Sequence, residues 1–105
     1  MKKKGEKSSS STKKKAVPIH KRAAPPENAF KTIEGKEILT ILELAHELDL
    51  MAEHVFSHHV TADRNDFATW VADIFQDSEL ADALGKEKSK DKAQIIIYRH
   101  IIKQL

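Results

Sequence analysis

The stretch NDFATWVADIF, residues 65–75, decides the fold of this chain. Its large apolar side chains recur at intervals of three and four residues: Phe67, Trp70, Val71, Ile74 and Phe75. This spacing places them on one face of an amphipathic helix. The preceding segment, Thr61 to Asp66, is polar and rich in residues that cap helices, which is typical of a helix start. The sequence therefore predicts a core helix here, against which the other elements pack.

Shorter helices are predicted before this core helix. Thr40 and Glu43 have the spacing of a capping box, and apolar residues follow at helical intervals: Ile41, Leu44, Ala45 and Leu48. These features predict a helix near residues 37–48. Asp49 is expected to cap a second helix, whose apolar residues from Leu50 to Val60 indicate burial on more than one side.

Two further helices are predicted after the core helix. Asp77 and Ser78 supply caps for a short helix through Leu84, and Gly85 is placed to end it in a left-handed conformation. Residues 93–105 then carry Ile97, Ile101 and Leu105 on one stripe, with Ile95, Tyr98 and Ile102 beside it. A helix is favoured there, although the β-branched run leaves a strand open for residues 94–98.

The predicted fold class is all-α: a compact bundle of about five short helices formed by residues 27–105 and preceded by a disordered basic tail, residues 1–26. At 105 residues the chain has material for one domain. Ahead of the helices, Ala29 to Ile33 is expected to be short and extended. Phe30 and Ile33 would anchor it to the core before Gly35 turns the chain.

Charge divides the sequence at the same boundary. Residues 1–26 contain nine Lys or Arg and one acid, for a net charge of +8, whereas residues 27–105 contain nine Lys or Arg and fifteen acids, for −6. The tail is mostly Lys, Ser, Ala and Pro, with too little apolar surface to offset the entropy lost on ordering. The predicted polyanion-binding residues are Lys2, Lys3, Lys4, Lys13, Lys14, Lys15, Lys21 and Arg22.

Such a tail is expected to bind nucleic acid or another polyanion without reading sequence, because lysine–phosphate contacts release counterions and depend on salt. The alternative is a tail that only keeps the acidic domain soluble. In the domain, an acidic strip is the candidate surface for a protein partner: Glu43, Glu47, Asp49 and Glu53. An ordinary solvated face is the alternative for the strip, and a protein-interaction or self-association module with an incidental tail is the alternative for the whole chain.

Catalysis and cofactor binding are not predicted. The chain has no cysteine, no glycine-rich phosphate loop and no defensible Ser/His/Asp order. His54 and His58 are four residues apart on a predicted helix, but two ligands do not complete a metal site, so no metal is predicted. No apolar run is long enough to span a membrane and no secretion signal is evident, so a soluble cytoplasmic protein of unknown oligomeric state is expected.

Three sequence elements together resemble an uncharacterised family of small archaeal and bacterial helical domains. The elements are Phe56-Ser-His-His-Val60, the run from Asn65 to Val71, and Leu80-Ala81. They are similar to that family's pattern of FxHHV, then NDFAxWV, then LA. The resemblance covers about residues 29–85 and leaves the lysine-rich tail outside. It implies a compact helical module with Asn65, Asp66, Phe67 and Trp70 in a capped core helix, and it implies no activity.

Overall fold

Five α-helices make up about half of the computed structural model, which describes residues 17–105. They are α1 (Ile41–Leu50), α2 (Glu53–His59), α3 (Asp66–Trp70), α4 (Ser78–Gly85) and α5 (Lys90–Lys103). Directly after α3 the chain continues as a π-helical turn, Val71–Phe75. The predicted helical architecture is confirmed, and residues 94–98 are helical. The alternative of a strand is wrong there, because Ile97 is fully buried within α5 against the core.

A small sheet makes the all-α description only approximate. Strand β1 (Phe30–Lys31) pairs antiparallel with β2 (Glu37–Ile38), and Phe30 lies opposite Ile38. Gly35 has a φ of +88°, which glycine adopts without steric cost, so the predicted turn is confirmed. Phe30 is buried as predicted, but Ile33 is 48% exposed. The anchoring role predicted for Ile33 is therefore wrong, because this residue lies in the turn between the strands.

The folded part of the chain starts well before the predicted boundary at residue 27. Ile19, in a 3₁₀ turn (Ile19–Lys21), is 2% exposed, and Ala24 is 5% exposed. Ala23 forms an isolated bridge with Thr40, and the Ala24 N–H donates to Leu39 O at 2.7 Å. The disordered tail predicted for residues 1–26 is thus too long, because this segment buries apolar side chains of its own in the core. Residues 1–16 lie outside the described part of the chain.

Helix α1 begins with the predicted capping box, but it starts later in the sequence than predicted. The Thr40 hydroxyl accepts from the Glu43 N–H at 3.0 Å, and the Glu43 carboxylate accepts from the Thr40 N–H at 3.2 Å, which completes the capping box. Residues 37 and 38, predicted as helix, form β2 instead. Asp49 lies within the last turns of α1, so its predicted capping of α2 is wrong. The N-cap of α2 is Ala52, which makes no side-chain capping bond.

The core helix and its successor are capped as predicted. The Asn65 side chain accepts from the Ala68 N–H at 3.0 Å, and Asp77 accepts from the Leu80 N–H at 3.1 Å. The left-handed residue is Gln76, with a φ of 56°, where the π turn meets α4. The left-handed ending predicted at Gly85 is wrong, because Lys86 after it stays near the helical region with a φ of −90°.

Helices α1 and α5 form the most extensive contact between helices and run in opposite directions. The Gln94 side chain, near the start of α5, donates to Ala45 O in α1 at 3.0 Å. At the other end of α5, the Gln104 side chain accepts from the Ile19 N–H at 2.8 Å. Across residues 17–105, the helices are all too short or too polar to cross a bilayer.

Candidate interaction surface

Helix α5 has apolar residues on two sides. Its inner side packs into the core through Ala93, Ile97 and Ile101. A second set points away from the core with exposed fractions of 48%, 39%, 64% and 84%: Ile95, Tyr98, Ile102 and Leu105. Three- and four-residue intervals place Ile95, Tyr98 and Ile102 along one side of the helix, and Leu105 follows just after its C-cap. We call it the outer face of α5.

A shallow groove borders the outer face on the α1 side. Its volume is about 510 Å³, and it is lined by Glu37, Thr40, Leu42, Glu43, His46, Glu47 and Tyr98. Leu42 is 50% exposed and lies on the same depression as Tyr98. Three carboxylates thus surround an apolar floor that is open to solvent. We call this depression the acidic groove.

The acidic strip predicted from the sequence is divided by the structure. Glu43 and Glu47 line the acidic groove, whereas Asp49 and Glu53 do not. The Glu43 carboxylate accepts from the Leu39 N–H at 2.7 Å in addition to its capping bond, and Glu47 lies 3.6 Å from Lys36 Nζ. Glu53 is an exposed residue 3.8 Å from Lys90 Nζ. Only Glu43 and Glu47 therefore belong to this concave surface.

The opposite side of the outer face borders α4 and carries basic residues. Arg99 and Lys103 line a depression of about 170 Å³ together with Glu79 and three apolar residues. Lys103 Nζ donates to Glu79 Oε2 at 2.6 Å. This hydrogen bond and the ammonium charge hold the pKa of Glu79 below its ordinary value. The outer face thus lies between an acidic flank on the α1 side and, on the α4 side, a flank that contains the α5 cations Arg99 and Lys103.

His59, in the FxHHV element, has a structural role. Its ring is 5% exposed, and its Nε2 accepts from the Ile33 N–H at 3.2 Å. Its Nδ1 lies 3.0 Å from Asp66 Oδ2, and Arg64 Nε donates to the other Asp66 oxygen at 3.0 Å. These contacts link the turn after β1 to the start of α3. The His59 of the FxHHV element therefore stabilises the fold.

The histidine pair identified in the sequence, His54 and His58, has no third candidate metal ligand beside it in the described part of the chain. His54 and His58 are exposed on α2. Within residues 17–105, no group of three or more His, Asp or Glu side chains is arranged to hold a metal ion. The buried histidines, His59 and His100, each contact one carboxylate.

His100 belongs to a second buried network, at the end of α5. Its Nε2 lies 2.7 Å from Asp77 Oδ2 and 3.1 Å from the Gln104 amide nitrogen. The Gln104 carbonyl oxygen in turn accepts from the Ile19 N–H at 2.8 Å. This network fastens the first described residues to α4 and α5. The sequence offered one signal for this network: His100 directly precedes Ile101, and this position places it on the inner side of the helix.

Two of the predicted polyanion-binding residues fall within the described part of the chain. Lys21 is exposed to solvent. The Arg22 guanidinium lies 5.5 Å from the centre of the Phe75 ring, in a cation–π contact, and lines a depression that also contains Asp77 and Glu79. Arg22 therefore contributes to packing of the N-terminal segment. The other six, Lys2, Lys3, Lys4, Lys13, Lys14 and Lys15, lie outside the described residues.

The sequence reading did not select the outer face of α5 as a site, although the signal was present. Ile95, Tyr98 and Ile102 follow intervals of three and four beside the stripe of Ile97 and Ile101, whereas the assignment of Leu105 to that buried stripe is wrong, because Leu105 is 84% exposed. Comparison of the chain with protein-family models, with curated proteins and with solved structures gave no match. The resemblance to a family of small helical domains therefore stays a prediction.

Proposed function

We propose that the chain is a non-enzymatic interaction module whose outer α5 face and acidic groove bind an amphipathic helix with basic residues along one flank. The observation that carries this proposal is the row of exposed apolar side chains on α5, next to Leu42 and bordered by Glu37, Glu43 and Glu47. Single exposed apolar residues are common on proteins, but a row on one helix beside an apolar depression is typical of a binding surface.

The chemistry of the surface favours a helical, basic ligand. Tyr98 offers a large, partly exposed ring with a polar end, which is the kind of side chain enriched at interfaces. A partner helix would place apolar side chains at spacings of three and four residues against the outer face. Its basic flank would then meet the carboxylates of the acidic groove, which favours correct orientation more than raw affinity.

A titration with a designed probe tests this function. The probe is a synthetic leucine–lysine peptide that forms an amphipathic helix, and the control has the same composition in scrambled order. Nuclear magnetic resonance of the full chain is expected to show shift changes at Leu42, His46, Tyr98 and Ile102 with the helical peptide and much weaker ones with the control. Equal responses to both peptides, or shifts spread over α2 and α3, would contradict the proposal.

A second candidate function is favoured by the distribution of charge. Residues 1–16 contain seven lysines and one glutamate, for a net charge of +6, whereas residues 17–105 contain eleven Lys or Arg and fifteen acids, for −4. We propose that this basic N-terminal segment (residues 1–16) binds nucleic acid or another polyanion without sequence specificity. The folded part, with the opposite net charge, would then remain available to a protein partner.

Salt dependence tests the second function. The full chain is expected to bind duplex DNA with an affinity that falls linearly in a log–log plot against salt, with a slope no steeper than about −6 because seven lysines are present. A chain lacking residues 1–16 is expected to lose this binding while keeping its fold. No binding by the full chain at low salt, or equal binding by the shortened chain, would reject the function.

A further inference from the structure

We propose that the partner of the outer α5 face is a second copy of this chain, with the two α5 helices side by side and parallel. The inference rests on the first proposed function and names the ligand of the same surface. Helix α5 is itself an amphipathic helix with basic residues on one flank, so the chain carries the kind of ligand that its own groove fits.

The spacing of the outer face matches the seam of a two-stranded coiled coil. Ile95, Tyr98 and Ile102 are separated by three and four residues on α5, which is the alternation of a and d positions, and Leu105 continues the spacing just after the C-cap. The inner residues Ala93, Ile97 and Ile101 are already buried against the domain. A second seam on the same helix has no apolar partner within residues 17–105, and a second copy would supply one.

The two flanks of the seam carry different charges. On the α1 side, Tyr98 borders Glu43 and Glu47 in the acidic groove. On the α4 side, Arg99 and Lys103 line the other depression, and Lys92 lies seven residues before Arg99 and so falls on the same side of the helix. Glu79 on that side is paired with Lys103, which leaves Arg99 and Lys92 as the cations that a second copy would meet.

Symmetry then decides between the two possible orientations. A twofold axis parallel to the helices brings the α1 flank of each copy against the α5 cations of the other, so Glu43 and Glu47 face Arg99. A twofold axis perpendicular to the helices gives an antiparallel pair. In that pair the α1 flank of one copy meets the α1 flank of the other, so like charges meet. Like charges placed together at an interface are costly, and opposite charges favour the register in which they meet. The charge pattern therefore favours the parallel pair.

The parallel arrangement also determines where the basic segments lie. Because the Ile19 N–H is bonded to Gln104 at the end of α5, both chains of a parallel pair continue toward residues 1–16 from the same end. In an antiparallel pair these points would be separated by about the length of α5, roughly 21 Å for its fourteen residues. Two lysine-rich segments leaving one end can bind a single polyanion together, which raises avidity without new contacts.

Sedimentation velocity of the full chain over a range of concentrations tests the second copy. The mass is expected to rise from monomer to dimer, and Ile102→Glu is expected to weaken association by at least about tenfold, because it places a charge in the apolar seam. Ile33→Glu is the matched control, since Ile33 is also about half exposed, at 48% against 64%, but lies in the turn between β1 and β2 and lines neither depression beside α5. A chain that stays monomeric, or an unaffected Ile102→Glu variant, would overturn the inference.

Engineered cysteines test the orientation, because the chain has none of its own. In a parallel pair, Ile95→Cys and Ile102→Cys should each form a disulfide with an identical variant under mild oxidation. An antiparallel pair sets a positions opposite d positions, so it would instead join Tyr98→Cys to Ile102→Cys in a mixture of the two, and this result would overturn the parallel arrangement. Ile33→Cys, in the turn between β1 and β2, should remain unlinked. A chain that binds the probe peptide at Tyr98 yet stays monomeric retains the proposed function and rejects the second copy.

Discussion

The backbone N–H of Ile19 donates a 2.8 Å hydrogen bond to the side-chain oxygen of Gln104, 85 residues later in the sequence. Gln104 also contacts His100, which in turn contacts Asp77 at the start of α4. Three separate parts of the chain are therefore joined at one end of the bundle. The consequence is that the segment carrying Ile19 belongs to the folded domain in spite of its basic composition.

Two truncations are expected to differ sharply in stability. Deleting residues 1–16 should leave the urea midpoint of unfolding nearly unchanged, because the core contacts begin at Ile19. Deleting residues 1–26 should destabilise the domain strongly, since it removes Ile19, Ala24 and the bridge to Thr40. The point substitution Ile19→Ala should cost about 2 to 5 kcal/mol. Equal midpoints for the two truncated chains would contradict this account of the N-terminal segment.

Trp70 is expected to be the residue whose truncation the domain tolerates least. Its ring packs edge-on against Phe30 and Phe75, and its indole N–H donates to Asn28 O at 2.8 Å. Trp70→Ala should cost about 3 to 5 kcal/mol, comparable to the whole stability of a domain this small, and should leave the chain unfolded by circular dichroism. Trp70→Phe keeps much of the apolar surface and should cost about 1 to 3 kcal/mol. A cooperative melt of Trp70→Ala near the parent temperature would refute the prediction.

Asp77 has two roles that a pair of substitutions can separate. One carboxylate oxygen caps α4 at the Leu80 N–H, and the other lies 2.7 Å from His100. Asp77→Ala should cost about 2 to 4 kcal/mol, because it removes the cap and leaves a buried ring without its partner. Asp77→Asn can still cap the helix and should cost less. Urea unfolding measures both, with the exposed Asp73→Ala as a control expected to stay within about 0.5 kcal/mol of the parent.

Local patterns predicted the helices well and their connections less well. The core helix, the Thr40–Glu43 capping box and the Asp77 cap each depend on neighbouring residues, so the sequence was sufficient to predict them. The position of Ile19 depends on a partner at the far end of the chain, and composition alone assigned it to the disordered tail. Long-range burial of one aliphatic side chain outweighs the basic and proline-rich character of its surroundings.

The candidate surface shows the same limit of sequence reasoning. Counting acids placed Glu43, Glu47, Asp49 and Glu53 in one strip, but only Glu43 and Glu47 line the acidic groove, whereas Asp49 near the end of α1 and Glu53 on α2 do not. Periodicity identified two adjacent apolar stripes on α5 without showing which one faces the core. Only the packing of α5 against α1 determines that Ile97 is buried and Ile102 is exposed.

The ion pair between Glu79 and Lys103 predicts a specific dependence of stability on pH. The hydrogen bond and charge of Lys103 lower the pKa of Glu79 in the folded state below its ordinary value of 4.5. A carboxyl with a depressed folded pKa stabilises the fold above its unfolded pKa, and this contribution is lost as the pH falls through the folded value. Lys103→Met should therefore lower the urea midpoint slightly at about pH 7, and the difference from the parent should shrink as the pH falls below 4.5 and through the folded pKa of Glu79. The effect on the urea midpoint should be small because both side chains are exposed. Carbon-detected titration of Glu79 gives the direct check. The pKa of Glu79 should rise in Lys103→Met. An unchanged Glu79 titration in that variant would show that Lys103 does not perturb it.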